Sequence, residues 1–216
     1  MGGVPADNDP QLRIEKLGPL GSWANNAYLL VDTASNDSLV IDAPEGSEAI
    51  IEAASGTTVR GILVTHSHVD HIARIELLQG ALDAPVYCHP AEAWEDRPGF
   101  VAPIDDASEW EFGNLRLRAI VTPGHTPGST CFLIDEHLFS GDTLFPGGPG
   151  RTRRPEDLQQ EIASITSRLY TLDDGIAVHP GHGDDTTIGQ SRGEYAVFSS
   201  RQHDPGLHGD VLWLDA

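Results

Sequence analysis

Two β-sheets packed on each other, with helices on their outer faces, are the architecture the sequence predicts. Apolar or alternating runs of strand length recur along the chain, helical periodicity is interspersed among them, and the second half loosely repeats the plan of the first. The chain has 216 residues, of which 39% are hydrophobic, enough to bury the core of one domain. No Gly/Pro/Ser-rich stretch divides it. The expected boundaries are a polar, disordered leader over 1–11, one domain over 12–198 and a C-terminal extension over 199–216 packed on the same domain.

Residues 12–14, 27–31 and 38–41 read as strands, the last after an Asn-Asp turn, which implies a meander. Ser47 to Ala54 reads as a short helix and 59–64 (VRGILV) as a strand running into Thr65-His66. Ile72, Ile75, Leu78 and Leu82 then fall at helical spacing, with Asp70 at the N-terminal end where a carboxylate favours a helix. A strand over 85–88 and a short helix over 91–95 follow. In the second half, 110–112 and 115–120 read as strands, and 131–134 with 137–139 as a hairpin around Asp135-Glu136. Residues 155–169, with Leu158, Ile162, Ile165 and Leu169 on one face, form the longest helix candidate, and 175–178 a final strand.

Composition excludes several function classes. There are 33 acidic against 13 basic residues, a formal charge of −20, which repels phosphate backbones and anionic membrane surfaces. No apolar run approaches the length of a membrane span, and MGGVPADNDPQ lacks the basic flank and apolar core of a signal peptide. A soluble, cytoplasmic protein acting on a small molecule is expected, with no nucleic-acid or membrane partner. The oligomeric state is not legible. Cys88 and Cys131 sit in strand-like runs and read as buried free thiols.

Four polar motifs fall where a strand gives way to a loop, so their side chains can converge on one rim. Thr65-His66-Ser67-His68-Val69-Asp70-His71 packs three imidazoles and a carboxylate into six residues. In extended chain His66 and His68 point the same way, whereas Asp70 and His71 can turn to a second point, so this spacing can begin two adjacent metal sites. His125 lies in a loop fixed by Pro123-Gly124 and Pro127-Gly128, and His182 between Gly181 and Gly183. Asp142 ends an apolar hairpin, where an unpaired charge is costly. Taken singly, Asp142 and Asp42 are also what an ordinary turn would use. His89, His137, His203 and His208 read as surface or supporting residues, His179 could face toward or away from the rim, and Trp23, Trp94, Trp110 and Trp213 read as core or pocket wall.

In order and spacing these motifs resemble the metallo-β-lactamase superfamily over roughly residues 12 to 192, which implies a four-layer αββα sandwich. The resemblance implies that His66, His68 and His125 hold one metal, that Asp70, His71 and His182 hold a second, and that Asp142 bridges them, with Asp42 supporting the histidine loop. It implies two divalent ions, Zn2+ first with Fe or Mn as alternatives, and a hydroxide made at neutral pH that attacks a carbonyl. Asp70 would also carry the proton to the leaving group. Asp142, with Gly141-Asp142-Thr143-Leu144-Phe145 and Thr186-Thr187-Ile188-Gly189, is similar to compact members of the glyoxalase II-like branch rather than to true β-lactamases, and implies hydrolysis of a small acyl thioester or related ester. The stretch after His182 is too short for the helical C-terminal domain by which glyoxalase II grips glutathione, so glutathione itself is not implied. Ser191 stands where compact members carry Glu.

A persulfide dioxygenase-like enzyme, with one ferrous ion on His66, His125 and Asp142, is the alternative. Arg151, Arg153 and Arg154 concentrate three basic residues just beyond Asp142, either to receive a substrate carboxylate or as a solvated loop neutralised by nearby Asp and Glu. The tail over 199–216 reads as an added edge strand or an oligomer contact.

Overall fold

The computed structural model describes residues 11–92 and 100–215. The expected leader lies outside these residues except for Gln11, as do Trp94 and most of the helix expected over 91–95. What is described there is a 3-10 turn, Pro90–Glu92.

The first sheet comprises β1 (Leu12–Leu20), β2 (Asn25–Asp32), β3 (Asp37–Ile41), β4 (Thr58–Leu63), β5 (Val86–Cys88) and β6 (Phe100–Pro103), adjacent in that order. The expected meander is β1-β2-β3, antiparallel throughout. From β3 onward the pairs are parallel, as crossovers through α1 (Glu48–Ala53), then α2 (Val69–Ile72) and α3 (Ile75–Leu82), require. The second sheet holds β7 (Glu109–Phe112), β8 (Leu115–Val121), β9 (Thr130–Ile134), β10 (His137–Gly141), β13 (Ala177–Pro180) and β14 (Thr186–Thr187) in the order β14-β13-β10-β9-β8-β7. A small hairpin, β11 (Leu144–Phe145) with β12 (Gly148–Pro149), projects beyond β10. The second sheet's outer face carries α4 (Pro155–Ser164), continued by a π-helical turn over Ile165–Leu169, and α5 (Ile188–Ser199).

Period-two alternation produces the layers. Along β2, Ala27, Leu29 and Val31 join Ile50, Ile72, Ile75 and Leu78 under the first helices, while Tyr28 and Leu30 face the other sheet. Along β9, Phe132 and Ile134 meet Tyr28, Leu39, Ile41 and Leu63 between the sheets, and Cys131 and Leu133 face Leu158, Leu169 and Phe198 of the second helical layer. Helix, sheet, sheet and helix make the expected αββα sandwich. Both cysteines are free and buried, and burial pushes the Cys131 thiol up to about 11.

Three departures from the sequence reading have physical causes. The single helix expected from Asp70 to Leu82 is broken at Ala73-Arg74, where Arg74 leaves helical geometry (φ −120°, ψ 20°). The backbone of Ala43 occupies the break: its N–H donates to the His71 carbonyl (2.8 Å) and its carbonyl accepts from the Arg74 N–H (2.9 Å). Helix α5 was not expected, since Gly189 and Gly193 lower its propensity and its apolar residues share no single face. The tail forms no strand among the described residues. It lies instead against α5 and the loop after β11, with Val211 and Trp213 buried.

Candidate metal centre

Strand ends of both sheets meet at one edge of the sandwich. The segment after β4 carries His66 and His68 and runs into α2 with Asp70 and His71, while the loop after β8 carries His125. Asp142 follows β10, and His182 follows β13. The strands place these side chains, so a set scattered over 117 positions of sequence becomes one cluster of ring nitrogens and carboxylates within 4.8 Å of one another in overlapping triads: His66-His68-His125, His66-His71-Asp142 and Asp70-His71-His182.

His66 Nε2, His68 Nδ1 and His125 Nε2 stand 3.0, 3.2 and 2.9 Å apart. In the neighbouring triad, His71 Nε2 and His182 Nε2 lie 3.3 Å apart, with Asp70 Oδ2 at 3.5 and 3.3 Å from them. Asp142 sits between the two. Its Oδ1 is 3.3 Å from His71, and its Oδ2 is 3.7 Å from His125 and 3.6 Å from His182.

The ring nitrogens turned away from the cluster fix the tautomers. His71 Nδ1 pairs with Asp42 Oδ2 at 2.8 Å, and His66 Nδ1 with Thr65 Oγ1 at 3.1 Å. The Thr65 hydroxyl and N–H both donate to Asp42, at 2.8 Å each. His125 Nδ1 reaches the Arg151 carbonyl (2.9 Å) and His182 Nδ1 the Trp23 carbonyl (3.1 Å). A neutral ring that donates from Nδ1 leaves Nε2 unprotonated, so the inward Nε2 atoms of His66 and His125, and those of His71 and His182 once a cation displaces their second proton, offer lone pairs. Asp42 is thus placed to orient two of the histidines.

These residues fit a pair of divalent cations. Nitrogens each about 2 Å from one tetrahedral cation lie a little over 3 Å apart, close to the spacing of the first triad. Asp142 Oδ1 is buried and has no hydrogen-bond partner, a cost that a cation removes. Gly181 lets the His182 loop approach, because a Cβ there would lie 2.4 Å from Asp142 Oδ1 and 2.5 Å from His71 Cε1. Burial holds His66, His68 and His125 below the ordinary imidazole pKa, as neutral ligands must be. Burial opposes a proton on His71 as well, but Asp142 and Asp42 outweigh it and raise its pKa well above that value. Against desolvation, His71 beside Asp142 and the His182 bond to Asp70 hold both carboxyls far below the usual carboxylate range. The carboxylates therefore call for positive charge at this point, which protons or metal ions can supply.

Four supporting residues escaped the sequence reading as site residues. Glu92 is buried between the first two histidine loops: Oε2 accepts from the Ser67 N–H (2.8 Å) and hydroxyl (2.7 Å), and Oε1 from the Thr126 hydroxyl and the Gly128 N–H (2.7 Å each). Its one sequence signal is a carboxylate just past a strand end, in His89-Pro90-Ala91-Glu92. Asn25 donates to Asp70 Oδ2 at 2.9 Å. Asn26 and Tyr28 bind the Pro180 carbonyl (3.0 and 2.6 Å), tying the His182 loop to the first sheet. His179 lies away from the cluster, bonded to His137 (3.0 Å) and Asp185 (3.0 Å). The arginines part company. Arg151 pairs with Asp210 (3.5 Å) and Arg154 with Asp157 (2.8 Å), whereas Arg153 has no carboxylate partner among the described residues. Arg153 lines both of the larger cavities at the cluster, about 820 Å³ beside His68 and His125 and about 740 Å³ over Asp70, Asp142 and His182.

A family profile described as the metallo-beta-lactamase superfamily matches residues 20–187, all seven clustered residues included. The chain belongs to that superfamily. BaeB of Bacillus velezensis, a probable polyketide biosynthesis zinc-dependent hydrolase, is 31% identical over 168 residues, which cover 74% of this chain and 73% of BaeB. A hydroxyacylglutathione hydrolase of Anaeromyxobacter dehalogenans is 38% identical over 130 residues, 60% of this chain and 50% of that protein. Among solved structures, the BLEG-1 B3 metallo-beta-lactamase superposes with a TM-score of 0.72 at 29% identity, covering 84% of this chain and 97% of its own. TTHA1623 in a di-iron-bound form gives 0.69 at 31%, covering 82% and 96%. The superfamily supports a metal-dependent hydrolase, and the relatives include both zinc and iron.

Proposed function

We propose that this superfamily member is a dinuclear metal-dependent hydrolase of small acyl thioesters, holding one ion on His66, His68 and His125 and a second on Asp70, His71 and His182. The observation that carries the reading is the position of Asp142, whose two carboxylate oxygens face histidines of both triads. Two divalent cations at such a centre supply Lewis acidity and bring the pKa of water toward neutrality.

The chain's own groups do the rest. Asp42 holds His71 and, through Thr65, His66 in register. Asn25 fixes Asp70, which faces the 740 Å³ cavity and would take up the proton released on attack. A leaving group that can depart as an anion needs no proton from Asp70. A thiol, with a pKa of about 8.5, leaves more readily in this way than an amine or alcohol. Arg153, free between the two cavities, is placed to meet an anionic group on the carrier thiol by a forked contact. The persulfide reading needs only His66, His125 and Asp142.

The test is to quantify bound metal and assay one preparation against lactoyl thioesters of several thiols, a β-lactam and a glutathione persulfide. About two ions per chain with thioester cleavage is expected. Oxygen consumption with the persulfide and no thioester cleavage would replace this reading with the mononuclear iron one, and β-lactam turnover alone would move the chain to the lactamase branch.

A further inference from the structure

A third cavity opens on the same cluster. It is about 300 Å³, and its lining joins His125, Asp142, His182 and the paired Arg151 and Asp210 to an apolar set, Phe145, Pro146, Pro149, Val211 and Leu212. Two of these five come from the C-terminal segment, far in sequence from the ligand motifs. That segment is fixed. The Trp213 side chain is fully buried, with its ring 4.7 Å from Phe198 and 5.2 Å from Tyr195. The Trp213 backbone N–H donates to the Gly147 carbonyl at 2.7 Å. The Thr152 N–H and Gly209 carbonyl pair at 3.2 Å, and the Gly209 N–H returns to the Thr152 hydroxyl at 3.2 Å. Gly148 is pressed against the segment so closely that a Cβ there would lie 2.3 Å from the Val211 carbonyl oxygen. Leu212, between buried Val211 and Trp213, is left half exposed over the cavity.

We infer that residues 209–213 form a fixed wall of the substrate site and that the cavity they close takes the aliphatic part of the acyl group. The inference rests on the thioester reading for the identity of the acyl donor. Size and polarity assign the arms: the small apolar cavity beside Asp142 suits a short hydrocarbon chain, whereas the two larger cavities, with Arg153 between them, suit a bulkier polar carrier. A packed apolar pocket discriminates about tenfold or more per methylene. Leu212 sets its depth, because its side chain alone among the tail residues lining the cavity is apolar and half exposed.

The test uses the full chain loaded with zinc and compares wild type with Leu212→Ala and Leu212→Trp. Acetyl, butyryl and hexanoyl thioesters of N-acetylcysteamine are assayed, and binding of acetate, butyrate and hexanoate is measured by calorimetry. The ratio of hexanoyl to acetyl kcat/KM should fall about tenfold or more in Leu212→Trp and rise in Leu212→Ala, and the carboxylate affinities should follow the same order. Ratios within threefold of wild type in both variants, with their unfolding transitions intact, would overturn the wall. If wild type cleaves none of the thioesters, the thioester reading fails and the carboxylates decide: hexanoate preferred by wild type but not by Leu212→Trp supports the wall, and equal affinities throughout remove it.

Discussion

Glu92 is one carboxylate that accepts four hydrogen bonds and joins the loop of His66 and His68 to the loop of His125. Glu92→Gln replaces one acceptor oxygen by a donor facing donors, so urea unfolding should show a loss of about 2–4 kcal/mol. A chelator competition should show weaker metal retention, which a merely structural role elsewhere in the fold would leave unchanged. Asp42 acts at shorter range. Asp42→Asn should weaken metal affinity about 10–100-fold, measured by the same competition, because it releases His71 and Thr65 together. Asp142→Ala should abolish turnover. The seven candidate ligands were legible because three histidines and an aspartate crowd into residues 66–71 and the others sit in glycine-bound loops at strand ends. Glu92 and Asn25 were not, since their partners lie 25 to 45 positions away and nothing in the local sequence announces the contact.

Among the elements, the strands were the most readable. Alternation along β8 survives in the structure because Leu115, Leu117 and Ala119 face the other sheet while Arg116 and Arg118 are exposed. The hairpin β9-β10 is buried on both faces and so reads as a near-continuous apolar run. Phe132, wedged between the sheets on β9 and fully buried, shows the cost of that arrangement: Phe132→Ala should destabilise the fold by about 3–5 kcal/mol in urea unfolding. Helical signals were less secure. The break between α2 and α3 is imposed by Ala43, a residue of another segment, and no periodicity in 69–82 reveals it. That break has a use, since it holds His71 beside Asp42. Helix α5 is stabilised by the Thr187 cap, whose hydroxyl accepts from the Gln190 N–H at 3.1 Å, and by Phe198 packing on Trp213, a contact that depends on the tail.

Across the whole molecule, the two sheets bring the ends of β4, β8, β10 and β13 to a single edge, and the formal charge of −20 gives cations a favourable field there. Metal that binds only the folded chain stabilises it by about 2.7 kcal/mol per site at a hundredfold excess over Kd, about 5.4 kcal/mol for two sites, so full loading should raise Tm by about 10–20 °C in calorimetry, and a chelator should reverse the shift. Among the described residues no helix is long and apolar enough to cross a membrane. Two packed sheets were legible from composition and period, but the tail as a wall of the site was not, because its contacts to 147–152 depend on the completed fold. The most direct measurement is a titration of the metal-stripped protein with zinc while lactoyl thioester hydrolysis is followed. Activity rising to a break at two equivalents is the predicted result, and full activity at one equivalent, or none at any, would contradict it.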